Sequence, residues 1–172
     1  LSAVQILSAV IAVLVVLLVL VIAAIIDKDG NVTPKIKLSE NVIKSLDVAA
    51  DAMDVELSLS GEKTEIEGIP ELLETIVFNL CDNAIKYNRK GGKVSVSVTK
   101  TEREAVLSVK DTGIGIPPEQ FERIFERFYR VDKSHSKEVG GTGLGLSIVK
   151  EILKKHSAKF GVESNENEGS TF

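Results

Sequence analysis

The chain has 172 residues, 44% of them hydrophobic and 27% charged, and a formal net charge of -4. This suffices for one ordinary core plus an appendage, and the acidic balance supplies no general field for nucleic acid, so no nucleic-acid partner is expected. Its single cysteine, Cys81, excludes an internal disulfide, and one cysteine with two histidines is too few for a zinc cluster, which suits a reducing compartment.

Residues 1–26 form an apolar head. Ala9 to Ile26 carry no polar side chain, and the stretch before them adds only Ser2, Gln5 and Ser8. About 18 to 20 such residues in a helix span the roughly 30 Å hydrocarbon layer, so a transmembrane helix is expected; a helix buried against a partner chain is the alternative. Ile25-Ile26-Asp27-Lys28 offers neither the leader nor the cleavage site of a signal peptide. Lys28, Lys35 and Lys37 follow, which by the positive-inside tendency puts the remainder in the cytoplasm on a membrane anchor. With Leu1 at one end and Phe172 inside an expected strand at the other, the chain is expected to be a fragment.

Residues 27–37 read as a linker, with the turn-rich Asp27-Lys28-Asp29-Gly30-Asn31 and then Pro34. From 38 to 172 one domain is expected. Val42, Ile43, Leu46, Ala49 and Ala50 recur at helical spacing between Leu38 and Met53, behind Ser39 as N-cap. Val55 to Leu59 alternates as a strand, with a short second strand at Glu65 to Glu67. A longer helix is predicted from Pro70 to Tyr87, its core face built from Leu72, Leu73, Ile76, Val77, Leu80 and Ile85. Asn79 and Asn83 sit four apart on it, one above the other. After the Gly91-Gly92 turn, Val94-Val96-Val98 and Ala105-Leu107-Val109 read as paired strands, the second delivering Asp111 at its end. Pro117-Pro118 is expected to open a helix through Phe128, and Thr142 to His156 to form another. A last strand pair is expected at Lys159 to Glu163 and from Ser170 onward. The fold class is α/β: a two-layer sandwich, a mixed sheet with helices packed on one face, preceded by the apolar helix.

Three clusters carry chemistry. Stacked Asn79 and Asn83 offer neutral carbonyl oxygens, hard ligands for a magnesium ion that stays mostly hydrated, unless they merely cap neighbouring backbone. Lys86, one turn on, can meet a phosphate as a point charge. Asp111 can accept from the exocyclic amine of a base, Gly113 and Gly115 let a planar ligand lie close, and Ile114 and Ile116 would line an apolar wall; the bland reading is an ordinary Asp-Thr-Gly turn. Gly140-Gly141-Thr142-Gly143 precedes a helix beginning near Leu144, so free N–H groups and the helix N-terminus make a phosphate cradle. A dinucleotide site is disfavoured by the absence of a strand before these glycines, and a Walker loop by the absence of Gly-Lys-Ser/Thr. Between Tyr129 and Val139 a charged run reads as a lid over nucleotide or as an ordinary solvated loop; Arg127, Arg130, Lys133 and Lys137 supply local positive charge.

Four such boxes in order resemble the ATP-binding catalytic domain of sensor histidine kinases, within the gyrase-like ATPase superfamily with its Bergerat-type fold. Asn79 to Tyr87 looks like the N box, Asp111 to Pro117 the G1 box, Phe121 to Phe128 the F box and Gly141 to Leu146 the G2 box, the likeness covering residues 36–172. The resemblance implies ATP and Mg2+ as ligands, with Asn83 on magnesium; Asn79, Lys86 and Tyr87 facing phosphates or nucleotide; and Asp111 on adenine. It further implies that Gly113, Gly115, Gly141, Gly143 and Gly145 shape the pocket, with Thr142 and Leu144 near the phosphates, and that the hydroxyl of Ser170 assists Asp111. Asn79 stands where gyrase and mismatch-repair ATPases hold a glutamate base, and an amide cannot take a proton there. Transfer of the γ-phosphate to another protein group is therefore expected, with a non-catalytic nucleotide-sensing module or a gyrase-like ATPase as alternatives.

The chain departs from the family in its histidines. The family's acceptor sits on a dimerisation helix, followed by an acidic residue and a nearby proline, and neither His135-Ser136 nor His156-Ser157 resembles that. Both read as structural or surface residues. The acceptor histidine, its dimerisation domain and the response regulator are expected outside this chain, and the full-length protein as a homodimer. Ser157-Ala158 stands where the family often has a glycine pair, and the apolar head, at the place of the second dimerisation helix, lacks that helix's polar face.

Overall fold

The computed structural model describes residues 24–26, 32–34, 40–61, 69–100, 105–131 and 141–172. The apolar segment 1–23, the expected strand at Glu65 to Glu67 and the centre of the expected lid, 132–140, lie outside the described residues. Among the described residues no helix is long and apolar enough to cross a membrane. Ala24–Ile26, expected as the end of the apolar helix, instead form a strand, β1, paired antiparallel with β2, Val32–Pro34. The correction has a local cause: the β-branched residues Ile25, Ile26, Val32 and Thr33 flank a sequence rich in Asp, Gly and Asn, which is a hairpin pattern.

Helix α1, Glu40–Ala52, turns Leu46 and Ala50 into the core and leaves Val48 exposed. Asp54, in the left-handed region at φ 55°, redirects the chain into β3, Glu56–Gly61. Helix α2, Pro70–Lys86, starts as the sequence suggests, with extended Ile69 as N-cap, proline in the first turn, Glu71 at the positive end of the helix dipole and Lys86 at the negative end. Its buried stripe is Ile76, Val77, Leu80, Cys81, Ala84 and Ile85. Strands β4, Lys93–Lys100, and β5, Ala105–Asp111, form a hairpin in the register Val96 with Val109 and Val94 with Asp111. Helix α3, Gly145–Lys155, and the hairpin β6, Glu163–Asn165, with β7, Gly169–Thr171, complete the fold.

The five-stranded sheet has the order β3-β4-β5-β7-β6, with β3 parallel to β4 and every other pair antiparallel. Alternation decides the layers. Val94, Val96 and Val98 point inward to α2, whereas Ser58 and Ser95 face out, their hydroxyls 3.0 Å apart. Helix α2 packs on α1 and α3 as well as on β4 and β5, and the core joins Leu46, Ile85, Val94, Val109, Val149 and Ile152. The expected mixed sheet with helices on one face is thus the one found. Burying a residue such as Ile85, 1% exposed, contributes about 2 kcal/mol.

Three boundaries differ from expectation. The stretch from Pro117 to Phe128 is not one helix but two 3-10 turns, Pro118–Gln120 and Arg123–Phe125, because Glu126 returns to an extended backbone and Phe128 takes φ 64°. Helix α3 starts at Gly145 rather than Thr142, since Gly141 and Gly143 stand at φ 131° and 70°, outside the helical region. Strand β6 begins at Glu163, not Lys159, because the Asn165–Gly169 turn, with Asn167 at φ 66°, sets the register against β7.

Candidate functional site

A cavity of about 310 Å³ opens between α2, the loop after β5, the start of α3 and strand β7. Of the residues singled out from sequence, Asn79, Asn83, Lys86, Tyr87, Asp111, Ile114, Gly115, Gly141, Thr142, Gly143, Gly145 and Ser170 line it. Gly113 and Leu144 do not. Gly113 is buried behind Asp111, and Leu144 is the N-cap of α3, where its carbonyl accepts from Ile148 N at 2.9 Å and from Ser147 Oγ at 2.8 Å.

One end of the cavity is built by the main chain. Asp111, the last residue of β5 and only 7% exposed, accepts at Oδ1 from Gly113 N at 2.8 Å and from Ser170 N at 3.3 Å. Burial pushes its carboxyl above the usual value of 3.8, and the two amides, which favour the carboxylate, only partly oppose this. Ser170 therefore meets Asp111 through its backbone rather than, as expected, through its hydroxyl, which lies 2.9 Å from Ser164 Oγ. Ser164 also holds the loop after β5 by accepting from Ile116 N at 2.8 Å. Gly115 is forced: at φ 72° a side chain is strained, and a Cβ would run into the Asn165 carbonyl. Behind the loop, Asn88 donates to Ala84 O and Lys93 O and accepts from Arg89 N and Thr112 Oγ1, tying the end of α2 to the turn at Thr112.

The other end is built from side chains. Asn79 donates from Nδ2 to Thr75 O at 2.7 Å, so half of its amide caps backbone and its Oδ1 faces the start of α3. The approach is close enough that a Cβ on Gly145 would come within 2.8 Å of that oxygen. Asn83 lines the cavity one turn on. Lys86 lines it too, with Nζ on Asp82 Oδ2 at 2.6 Å. Arg130, which supplies positive charge as expected, donates from Nη1 to Gly141 O at 3.0 Å; Lys133 and Lys137 lie outside the described residues and Arg127 is exposed.

Sequence reasoning gave no individual role to Asp82, Ala84, Ile124 and Leu146, which lie within its boxes, nor to Tyr129, Val131 and Phe172; all are on the cavity wall. Phe172 had a signal, since it stands two residues after Ser170 at the end of β7 and shares its face. Tyr129 and Val131 stand at the start of the run read as a lid, where no regular period singles out a side chain; Tyr129 is held by Gln120 and by the Arg123 guanidinium 4.3 Å over its ring. His156 ends α3 as a structural residue: Nδ1 is 2.9 Å from Ile152 O and Nε2 accepts from Ile69 N at 3.4 Å, binding the end of α3 to the start of α2.

The arrangement offers a buried acceptor at one end, an apolar wall between, and amide, cationic and glycine-rich groups at the other. Residues 68–172 match the family described as histidine kinase-, DNA gyrase B- and HSP90-like ATPase. The chain is 45% identical over 120 residues to the sensor histidine kinase RppB of Synechocystis sp., covering 70% of this chain and 26% of that protein. It is 46% identical over 98 residues to the sensor histidine kinase WalK of Bacillus subtilis, covering 56% and 16%. The chain thus spans 26% and 16% of the length of these relatives. Among solved structures, the mycobacterial sensor histidine kinase MprB is 30% identical with a TM-score of 0.65, covering 77% of this chain and 88% of that one. Full-length ShkA in complex with AMPPNP is 26% identical with a TM-score of 0.68, covering 98% and 35%. The chain belongs to the histidine kinase-, DNA gyrase B- and HSP90-like ATPase family, as an ATPase domain homologous to that of the sensor histidine kinases.

Proposed function

We propose that this domain binds ATP with the adenine on Asp111 and the phosphates between α2 and the glycine-rich start of α3, and donates the γ-phosphate to a histidine outside the chain. The observation that carries the reading is Asp111 itself: a buried carboxylate whose Oδ1 is held by two backbone amides on the wall of a cavity lined elsewhere by Lys86, Asn83, Gly141, Thr142, Gly143 and Gly145. A carboxylate so fixed accepts from an exocyclic amine, while Ile114 and Ile116 cover the face of the base. Gly113 serves the base end through its N–H on Asp111, and Leu144 the phosphate end by placing the first turn of α3.

A magnesium ion fits the donor set in a limited way. Among the described residues no group of three His, Cys, Asp or Glu side chains stands together, so the hard ligand would be the Asn83 carbonyl, with Asn79 supporting and with phosphate oxygens and water completing the shell. When bound, the ion neutralises phosphate charge. Lys86 and the N–H groups at the start of α3 orient the phosphates, and Arg130 keeps Gly141 in place. In the transfer, an imidazole nitrogen of the acceptor attacks phosphorus, the bond to the β-γ bridging oxygen breaks, ADP leaves, and the imidazole N–H proton passes to solvent. The chain supplies positioning and charge rather than a base. Asn79 supports this over a gyrase-like ATPase: its amide, fixed on Thr75 O, cannot activate water.

In the same reading the domain, residues 38–172, works in a membrane-anchored homodimer, with the anchor in the apolar segment before β1, the catalytic part in the cytoplasm, and a histidine-bearing dimerisation domain and a response regulator as partners. The test is to mix this chain with a histidine-bearing dimerisation domain and radiolabelled Mg-ATP. An acid-labile phosphohistidine on the acceptor is expected; no label despite measured ATP binding leaves a nucleotide-sensing module, and steady ATP turnover by the chain alone would revive the gyrase-like ATPase.

A further inference from the structure

Ser164 has one hydroxyl hydrogen and three contacts. Its Oγ lies 2.8 Å from Gly169 O, 2.8 Å from Ile116 N and 2.9 Å from Ser170 Oγ. A carbonyl only accepts and a backbone N–H only donates, so two of the three directions are decided. The Ser164 hydrogen goes to Gly169 O, and the Ile116 N–H fills one Ser164 lone pair. The third contact is then satisfied only if the Ser170 hydroxyl donates to Ser164. That leaves Ser170 Oγ with lone pairs alone toward the cavity it lines, next to Asp111, which also only accepts.

We infer that Ser164 is a positioning residue that fixes the direction of the Ser170 hydroxyl, so that the base end of the cavity presents acceptors only and selects a purine with an amine at C6 over one with an oxygen there. The inference rests on the adenine reading of Asp111. Ser164 faces Ser170 directly across the β6–β7 pair, so strand register sets the relay. It also holds the Ile116 backbone from the opposite side, which joins the two walls of the base site in one hydroxyl.

The experiment measures dissociation constants of ATP and inosine triphosphate, which differ only around C6, for wild type, S164A, S164T and S170A. Wild type prefers ATP. S164A frees the Ser170 hydroxyl to donate to an oxygen at C6, so the ATP-to-ITP preference narrows about five- to tenfold, chiefly through tighter ITP binding. S164T, which keeps the hydroxyl, retains the wild-type ratio, and S170A narrows it by removing one acceptor. In the S170A background, adding S164A leaves the ratio unmoved. A loss shared equally by both nucleotides in S164A would show a merely structural residue and overturn the inference; a ratio unmoved by S170A overturns it even where S164A does not fold. Wild type without any ATP preference removes the adenine reading of Asp111 and this inference with it, whereas a wild-type preference that S164A leaves intact removes the inference alone.

Discussion

The two ends of the cavity are made differently. At the base end the groups that hold Asp111 and the loop after β5 are backbone amides and short hydroxyls, fixed by the register of β5, β6 and β7. At the end proposed for the phosphates, side chains join the glycine-rich start of α3, and one of them, Lys86, is already engaged by Asp82. A ligand finds the first end prepared, whereas at the second it must exchange partners. Such a division places discrimination in the sheet and leaves the charged end adjustable as phosphates come and go.

The largest expected break in this contrast comes from D111N. The amide keeps an oxygen for Gly113 N and Ser170 N but offers a donor where the base needs an acceptor, so ATP affinity should fall about a hundredfold, with preference over GTP lost. Titration calorimetry with both nucleotides checks this, and retained ATP preference contradicts it. The stability of the empty domain should move the other way. Because burial raises the Asp111 pKa, the folded state holds that proton more tightly than the unfolded chain. Its contribution to stability is therefore fully present below about 3.8 and is lost as pH rises through the raised folded value. D111N lacks this dependence, so its melting temperature at neutral pH should equal or exceed that of wild type. Ligand binding runs in the opposite sense, since the base requires the carboxylate: wild-type affinity for adenosine should weaken as pH drops through the same range.

Next in size is N83A. If Asn83 supplies the protein's ligand to magnesium, affinity for ATP in the presence of the ion should fall about tenfold or more, while affinity in chelator stays as it was. Equal affinities in the two conditions for wild type would remove the ion from the phosphate end. H156A tests the scaffold beneath both ends by cutting the tie between α3 and Ile69; a loss of about 1 kcal/mol in urea unfolding is expected, with nucleotide selectivity untouched. The smallest effect is expected of D82N. An i,i+4 helix pair contributes only about 0.3–0.5 kcal/mol, and this one is half-buried; releasing Lys86 should tighten ATP binding by no more than about twofold, and weaker binding would mean that Asp82 positions the lysine.

Much of this was legible from residue patterns because the signals were periodic. The 3.6-residue stripe of α2 and the twofold alternation of Val94, Val96 and Val98 gave helix, strand and buried face together. The clusters at Asn79, Asp111 and Gly141 could be assigned to one site because all three flank those elements. Where regular periods stop, so did the reading. The Pro117-Pro118 pair signals a helix start, yet nothing local announces that Glu126 turns extended and Phe128 left-handed. The pattern from Thr142 to His156 reads as one helix, although the backbone angles of Gly141 and Gly143 delay its start to Gly145. Ser164 was invisible because its importance lies in which hydroxyl faces it across the β6–β7 pair, a relation between strands rather than a motif along one.

Strand β7 lies between β5 and β6, although it is the last strand in the chain. The contact from Ser170 to Asp111 spans 59 residues, whereas the β4–β5 hairpin that carries Asp111 closes locally. Non-local pairings of this kind form late, after the entropy of closing the intervening chain has been met. The acceptor arrangement at Asp111 is therefore complete only when β7 lies between its neighbours. Nucleotide at a hundred times its dissociation constant adds about 2.7 kcal/mol to any state that binds it and nothing to one that does not. With the base on Asp111 as proposed, ATP would act on this domain as a selective stabiliser of chains whose sheet is complete.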